Sequence, residues 1–194
     1  MLQEQINAIN RLGTKVFIDP KNESFELILK KGLSSNTYRA FHRIDKYKDG
    51  ASVIFKDYFN SNKSKILDSF GKLSTRKNYD NYLDTICSDL KKLLKENIKN
   101  QQLESYNKLR KPVDLFVEHI VSMDEDFKDV RKKITPFMYL PLDSWIFQNE
   151  IIFPYENLID LGLKRRFSFG DIRSKNHYLD IQEYVKQRVS ILNI

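Results

Sequence analysis

Ser74-Thr-Arg-Lys-Asn-Tyr-Asp-Asn-Tyr-Leu-Asp-Thr-Ile-Cys-Ser-Asp-Leu-Lys-Lys-Leu-Leu-Lys-Glu-Asn-Ile98 sets apolar residues at helical spacing for about six turns. Tyr79, Tyr82, Leu83, Ile86, Leu90, Leu93, Leu94 and Ile98 fall on one stripe, and Ser74 or Thr75 supplies the side-chain oxygen that caps a helix start. A stripe this long has to be buried against a partner, and the next stretch provides one. Leu103, Tyr106, Leu109, Val113, Phe116, Val117, Ile120 and Val121 repeat the pattern, with Pro112 inside it. Proline removes a backbone donor and clashes with the preceding turn, so a kink or break is predicted there. The fold class read from these two stretches is mainly α: a single helical domain, residues 1–194, around two long central helices.

Working outward toward the N-terminus, Leu2, Ile6, Ile9 and Leu12 predict a short amphipathic helix closed by Gly13. Thr14–Ile18 and Phe25–Leu29 are short apolar runs rich in β-formers, separated by the turn-forming Asp19-Pro-Lys-Asn-Glu-Ser24, and predict a small N-terminal β-hairpin. From Ser34 a helical period places Tyr38, Phe41 and Ile44 on one face. Ala51–Phe59 and Lys63–Phe70 predict two shorter helices, the second ended by Gly71. Residues 1–73 are thus a possible subdomain beside a helical core at 74–194.

Toward the C-terminus, Asp124 is placed to cap a helix carrying Phe127, Val130 and Ile134. Pro136–Trp145 is apolar between prolines and reads as buried and irregular. Glu156–Leu161 predicts a brief helix, Lys164–Asn176 a basic loop, and His177–Leu192 a final helix with Leu179, Ile181, Tyr184, Val185 and Leu192 inward. No internal repeat or low-complexity tract interrupts the chain.

Composition limits the function classes. With 194 residues, 41% of them hydrophobic, and thirteen Phe and ten Tyr, the chain is no disordered tail. The single cysteine, Cys87, excludes an intramolecular disulfide and a thiolate metal cluster, and points to a reducing compartment. It lies on the stripe side of its helix, where it reads as a small core residue. The sequence offers no signal-peptide order and no apolar run near the ~18 residues a membrane span needs, so a cytoplasmic protein without membrane contact is expected.

A net charge of +7 and a pI near 9.3 suit an anionic partner, although an AT-rich genome also enriches Lys, Asn and Ile together. The cationic excess lies at the two ends. Residues 1–73 hold thirteen Lys/Arg against eight Asp/Glu, 74–160 thirteen against fifteen, and 161–194 seven against three.

The densest binding signal is Lys164-Arg-Arg-Phe-Ser-Phe-Gly-Asp-Ile-Arg-Ser-Lys-Asn-His177, which mixes five cations with Phe167 and Phe169. Phosphate contacts need the cations and base stacking needs the rings, which makes Lys164, Arg165, Arg166, Phe169, Arg173 and Lys175 the candidate nucleic-acid contacts. The plainer alternative is a basic surface loop with its phenylalanines tucked inward and Asp171 paired with Arg173. Asp114 and Glu118, four apart on one helix face, are a candidate divalent-cation pair; Arg110 and Lys111, one turn away, are alternative partners for both on a solvated surface. Asp143, set among apolar residues, is either a perturbed carboxylate or a helix cap. His42, in Arg39-Ala-Phe-His-Arg43, suits a basic surface better than catalysis.

Within the basic segment, Arg173-Ser-Lys-Asn-His177 resembles the Arg/His signature of HEPN-type ribonucleases, which are all-helical. The resemblance covers five residues, and its three intervening residues are fewer than that signature has. It implies His177 as general base and Arg173 as phosphate ligand. Phosphate-binding glycine loops, nucleophile elbows and His-Glu-x-x-His are missing from the sequence. The expectation is a non-catalytic, cofactor-free nucleic-acid-binding protein. The alternatives are a nucleic-acid-directed enzyme, either HEPN-like or metal-dependent, and a protein-interaction module exposing aromatics from Phe137–Trp145.

Overall fold

The computed structural model describes residues 25–32, 35–163 and 167–192, and it is mainly helical, with no sheet among the described residues. The helices are α1 (Phe25–Gly32), α2 (Ser35–Tyr38), α3 (Ala51–Lys72), α4 (Arg76–Leu94), α5 (Tyr106–Met123), α6 (Lys128–Ile134), α7 (Ser144–Phe147), α8 (Tyr155–Asp160) and α9 (Lys175–Leu192). Short 3-10 turns at Asn100–Leu103, Glu125–Phe127, Thr135–Phe137 and Phe169–Asp171 join several of them.

α4 and α5 are the two central helices that the stripes predict. Thr75 caps α4, its hydroxyl accepting from Asn78 N at 3.2 Å, and Ser105 caps α5 by accepting from Lys108 N. Along α4, Tyr79, Leu83, Ile86, Leu90 and Leu94 are buried as their spacing requires, while Leu93 falls off the stripe and is half exposed. α5 differs in kind. Leu109, Val113, Phe116, Val117, Ile120 and Val121 are buried, and so are Asn107, Arg110, Lys111 and Asp114, because α5 is enclosed on several sides. Helices α1, α4, α6 and α9 all pack on it, and Phe59 of α3 stacks on its Phe116 with ring centroids 3.6 Å apart.

Four sequence expectations change. Phe25–Leu29 is helix, not the second arm of a hairpin; the first arm and the 2–12 helix lie outside the described residues. In α1, Ile28 and Leu29 are buried and the Phe25 ring meets Phe116 edge-on, so packing against α5 overrides strand propensity. Residues 51–72 form one helix, because Phe55, Phe59, Ile66 and Phe70 face one core; the Asn62 side-chain amide, at its middle, donates to Tyr58 O at 2.7 Å. The helix expected through Ile44 stops at Tyr38: Tyr38 and Phe41 are buried, but Ile44 turns away and donates its N–H to Asn97 O. Pro112 neither breaks nor ends α5, which runs continuously around it.

The buried apolar residues form two clusters. The larger takes Ile28 and Leu29, the inner faces of α3 and α4, most of α5, and Phe127 and Ile134. The smaller is built from Leu142, Phe147, Phe153, Leu158, Leu163, Ile172, Tyr178, Ile181 and Val185, with Tyr139 packed against both. Full burial of each such side chain contributes about 1.5–3 kcal/mol relative to exposure. Pro136–Trp145 is irregular as expected, but only Pro141 and Leu142 of it are fully buried, and Trp145 is 80% exposed.

Candidate functional site

Between the two clusters lies a group of charges taken out of water. Arg110, on the inner face of α5, has no exposed surface. Its Nε donates to Asp114 Oδ1 at 2.8 Å, one turn on, and its Nη1 donates to Tyr106 Oη at 3.2 Å and lies 3.5 Å from Asp84 Oδ1 on α4. The guanidinium sits over the rings of Tyr139 and Tyr178, 5.3 Å from each centroid. The tyrosine hydroxyls then donate to carboxylates: Tyr106 to Asp84 at 2.6 Å, Tyr139 to Asp80 at 3.0 Å, and Tyr178 to Asp114. Lys175, at the start of α9, closes the group on Asp84. Arg110 Nη2 and Asp80 Oδ1, 3.9 Å apart, are buried with no hydrogen-bond partner among the described residues.

Burial sets the protonation behaviour here. It pushes the Asp80 and Asp114 carboxyls up, against the downward pull of the donors that face them. Neighbouring carboxylates and tyrosines hold Arg110 firmly charged although burial opposes it. Tyr139 is pushed up to about 12, mainly by burial, so its hydroxyl stays a donor. Cys87, buried beside this group, is likewise pushed up to about 12, which keeps it a thiol and fits a core residue.

The group mechanically links α4, α5 and α9. Ser105 Oγ and Asn107 N donate to Ile172 O and Tyr106 N donates to Arg173 O, so the start of α5 fixes the chain entering α9. Ser174 caps α9 by accepting from His177 N. Arg173 is thereby placed, exposed, on a cleft of about 290 Å³ that Lys91, Ser88 and Tyr106 also line. On the other side, a cleft of about 490 Å³ between α4, residues 136–140 and α9 is lined by Asp80, Tyr139, Gln182 and several apolar side chains. Its wall is locked by Gln182, which donates to Leu140 O and accepts from Leu140 N.

Among the candidate nucleic-acid contacts, Arg173 faces solvent and Lys175 is half-buried in its ion pair with Asp84. Lys164, Arg165, Arg166 and the side chain of Phe169 lie outside the described residues. Phe167 packs edge-on against Phe147 and His177 in the smaller cluster. His177 Nε2 donates to Leu161 O at 2.8 Å, which engages one ring nitrogen in holding the 161–163 turn.

Asp114 pairs with Arg110 as its spacing allowed, but inside the protein and not on a solvated surface. Glu118 is partly buried with its carboxyl pushed up by burial. No three His, Cys, Asp or Glu side chains converge as metal ligands among the described residues. Asp143 caps α7, accepting from Trp145 N and Ile146 N, and also pairs with Lys111 Nζ at 3.3 Å. The buried group had a readable signal, since Tyr106, Arg110 and Asp114 are four apart on a striped helix, as are Asp80 and Asp84.

A second arrangement joins cations distant in sequence. His42–Ile44 runs beside Asn97–Lys99: Arg43 and Ile98 make an isolated antiparallel bridge, Ile44 N donates to Asn97 O at 2.8 Å, and Lys99 N donates to His42 O at 3.0 Å. Arg43 Nη1 donates to the carbonyls of Lys46 and Lys48, which folds residues 43–48 into a tight loop. The pairing brings His42–Ile44, in a stretch with exposed cations at positions 39, 43, 46 and 48 and acids at 45 and 49, against the segment that carries Lys95, Glu96 and Lys99. Within this loop Tyr47 is 84% exposed, with Lys46 Nζ 4.9 Å from its ring. Lys91, two turns back along α4 from Ile98, lines the cleft with Arg173.

No family model matches this chain, and no curated protein and no solved structure matches it either.

Proposed function

We propose that this protein binds nucleic acid through a basic face running from the 39–48 loop, over the C-terminal half of α4, to Arg173. The observation that carries the reading is the pairing of Arg43 and Ile44 with Asn97 and Ile98. It sets cations of the N-terminal region near Lys95 and Lys99, just past the C-terminal end of the helix whose Lys91 shares a cleft with Arg173 from the C-terminal region. Clustered lysines and arginines gain affinity by releasing counterions from phosphates. An exposed ring among them, Tyr47, offers a surface on which an unpaired base can stack, which favours single strands. Lys164, Arg165, Arg166 and Phe169, close before Arg173 in the chain, belong to the same proposal.

The test is fluorescence anisotropy with labelled single-stranded RNA, single-stranded DNA and duplex DNA at two salt concentrations. Binding should weaken steeply with salt. Replacing Lys46, Lys95 and Lys99 by alanine should lower the salt slope by about 0.7–0.9 for each phosphate that is no longer neutralised. Tyr47→Ala should cost about 1–3 kcal/mol on single strands and little on duplex. Absence of binding to all three at low salt would sink the reading.

A further inference from the structure

The cleft of about 490 Å³ between α4, residues 136–140 and α9 shares no residue with the basic face. Its size falls among small-molecule sites, roughly 300–1,000 Å³. Two clasps fix its walls. Arg76 of α4 donates from its Nη atoms to Pro136 O and Phe137 O, and Gln182 of α9 holds Leu140 by N–H and C=O alike. The cleft is therefore preformed, with Met138, Leu140, Leu179, Val185 and Val189 as its apolar lining. Of the charged side chains that line it, Asp80 alone is withdrawn from water, at 9% exposed. Its Oδ2 accepts from Tyr139 at 3.0 Å. Its Oδ1 has no hydrogen-bond partner and lies 3.9 Å from Arg110 Nη2, which also has none.

We propose that this cleft binds a small, uncharged aromatic molecule carrying an N–H or O–H group, which it donates to Asp80. The apolar lining selects the body of the ligand, and the Met138 thioether and Tyr139 ring favour an aromatic body over an aliphatic one. Electrostatics select its neutrality. Arg76 and Lys186 stand against Asp80, Asp180 and Glu183 around the cleft, and Arg110 lies behind Asp80, so three cations meet three carboxylates. A charged ligand of either sign would lose its hydration with no surplus of the opposite sign to offset the loss. Asp80 selects the donor. A carboxylate offers about four lone-pair sites, and this one receives a single hydrogen bond, from Tyr139, among the described residues. The site stands whether or not the basic face binds nucleic acid.

The test is isothermal titration calorimetry of the full chain at neutral pH with four probes sharing one ring system. Indole is neutral and donates its N–H; 1-methylindole has the same body without the donor; indole-3-carboxylate is an anion and tryptamine a cation. Indole should bind saturably at one site. Loss of the donor in 1-methylindole should weaken binding about tenfold or more, the worth of one hydrogen bond to a charged acceptor. Both ions should bind more weakly than indole. Leu179→Trp, which extends a half-buried wall residue into the cleft, should abolish indole binding, with the fold checked by circular dichroism. The probe series is read on the wild-type chain and decides the matter even where this variant does not fold. No saturable heat with indole, equal binding of 1-methylindole, tighter binding of either ion, or undiminished binding by folded Leu179→Trp each overturns the proposal.

Discussion

Arg110 is buried completely, yet it is surrounded by enough acceptors and rings that its charge is kept rather than lost. Asp80 marks the edge of that arrangement. One of its oxygens accepts from Tyr139, the other faces Arg110 without a hydrogen bond, and burial holds its carboxyl above the ordinary 3.8. The sign follows from proton counting. Just above pH 3.8 the folded chain keeps a proton on Asp80 that the unfolded chain has released, so this group's contribution to stability is complete below that pH and declines as pH rises through the folded pKa. Asp80→Asn has no such proton to lose. Urea unfolding across a pH series should show the variant gaining on the wild type as pH rises above 3.8, and a difference that stays flat or shrinks would contradict the assignment.

At the scale of elements, α5 shows packing overruling a local rule. Pro112 sits seven residues into an 18-residue helix, where an interior proline costs about 3 kcal/mol relative to alanine. The helix persists because the residues flanking Pro112 are buried against α1, α4 and α9. Pro112→Ala restores the missing donor but removes two methylenes from a buried site, a loss of about 0.8 kcal/mol each. The net expectation is stabilisation by about 1 kcal/mol, read as a higher thermal midpoint. Helix α3 carries the same lesson in reverse. Its polar Asn60-Ser-Asn62 looks like a break in sequence, but it lies on the outer side of a helix whose Phe55, Phe59, Ile66 and Phe70 all reach one core.

Across the whole molecule, the Arg110 group is the seam between two apolar clusters, tying α4 and α5 to α9. Replacing Arg110 alone by methionine strands Asp114 as a buried charge and should cost about 3–5 kcal/mol in denaturant unfolding. Adding Asp114→Leu removes the stranded charge and should recover a substantial part of that loss. A double variant less stable than the single one would argue against the seam being an ion pair in apolar surroundings. By itself the sequence determined the helical class, the stripes of α4 and α5, and the inward placement of Cys87, and it narrowed the α4 cap to Ser74 or Thr75 and left Asp143 as a cap or a perturbed carboxylate, because each depends on spacing or side-chain chemistry within a few turns. Only the tertiary structure decided that α1 is a helix, that Asp114 answers Arg110 inside the protein, that the 39–48 loop lies against the end of α4, and that Trp145 faces water. Those outcomes depend on which surfaces meet across long separations in the chain, and burial and charge pairing act there through distance in space, which periodicity along the chain does not encode.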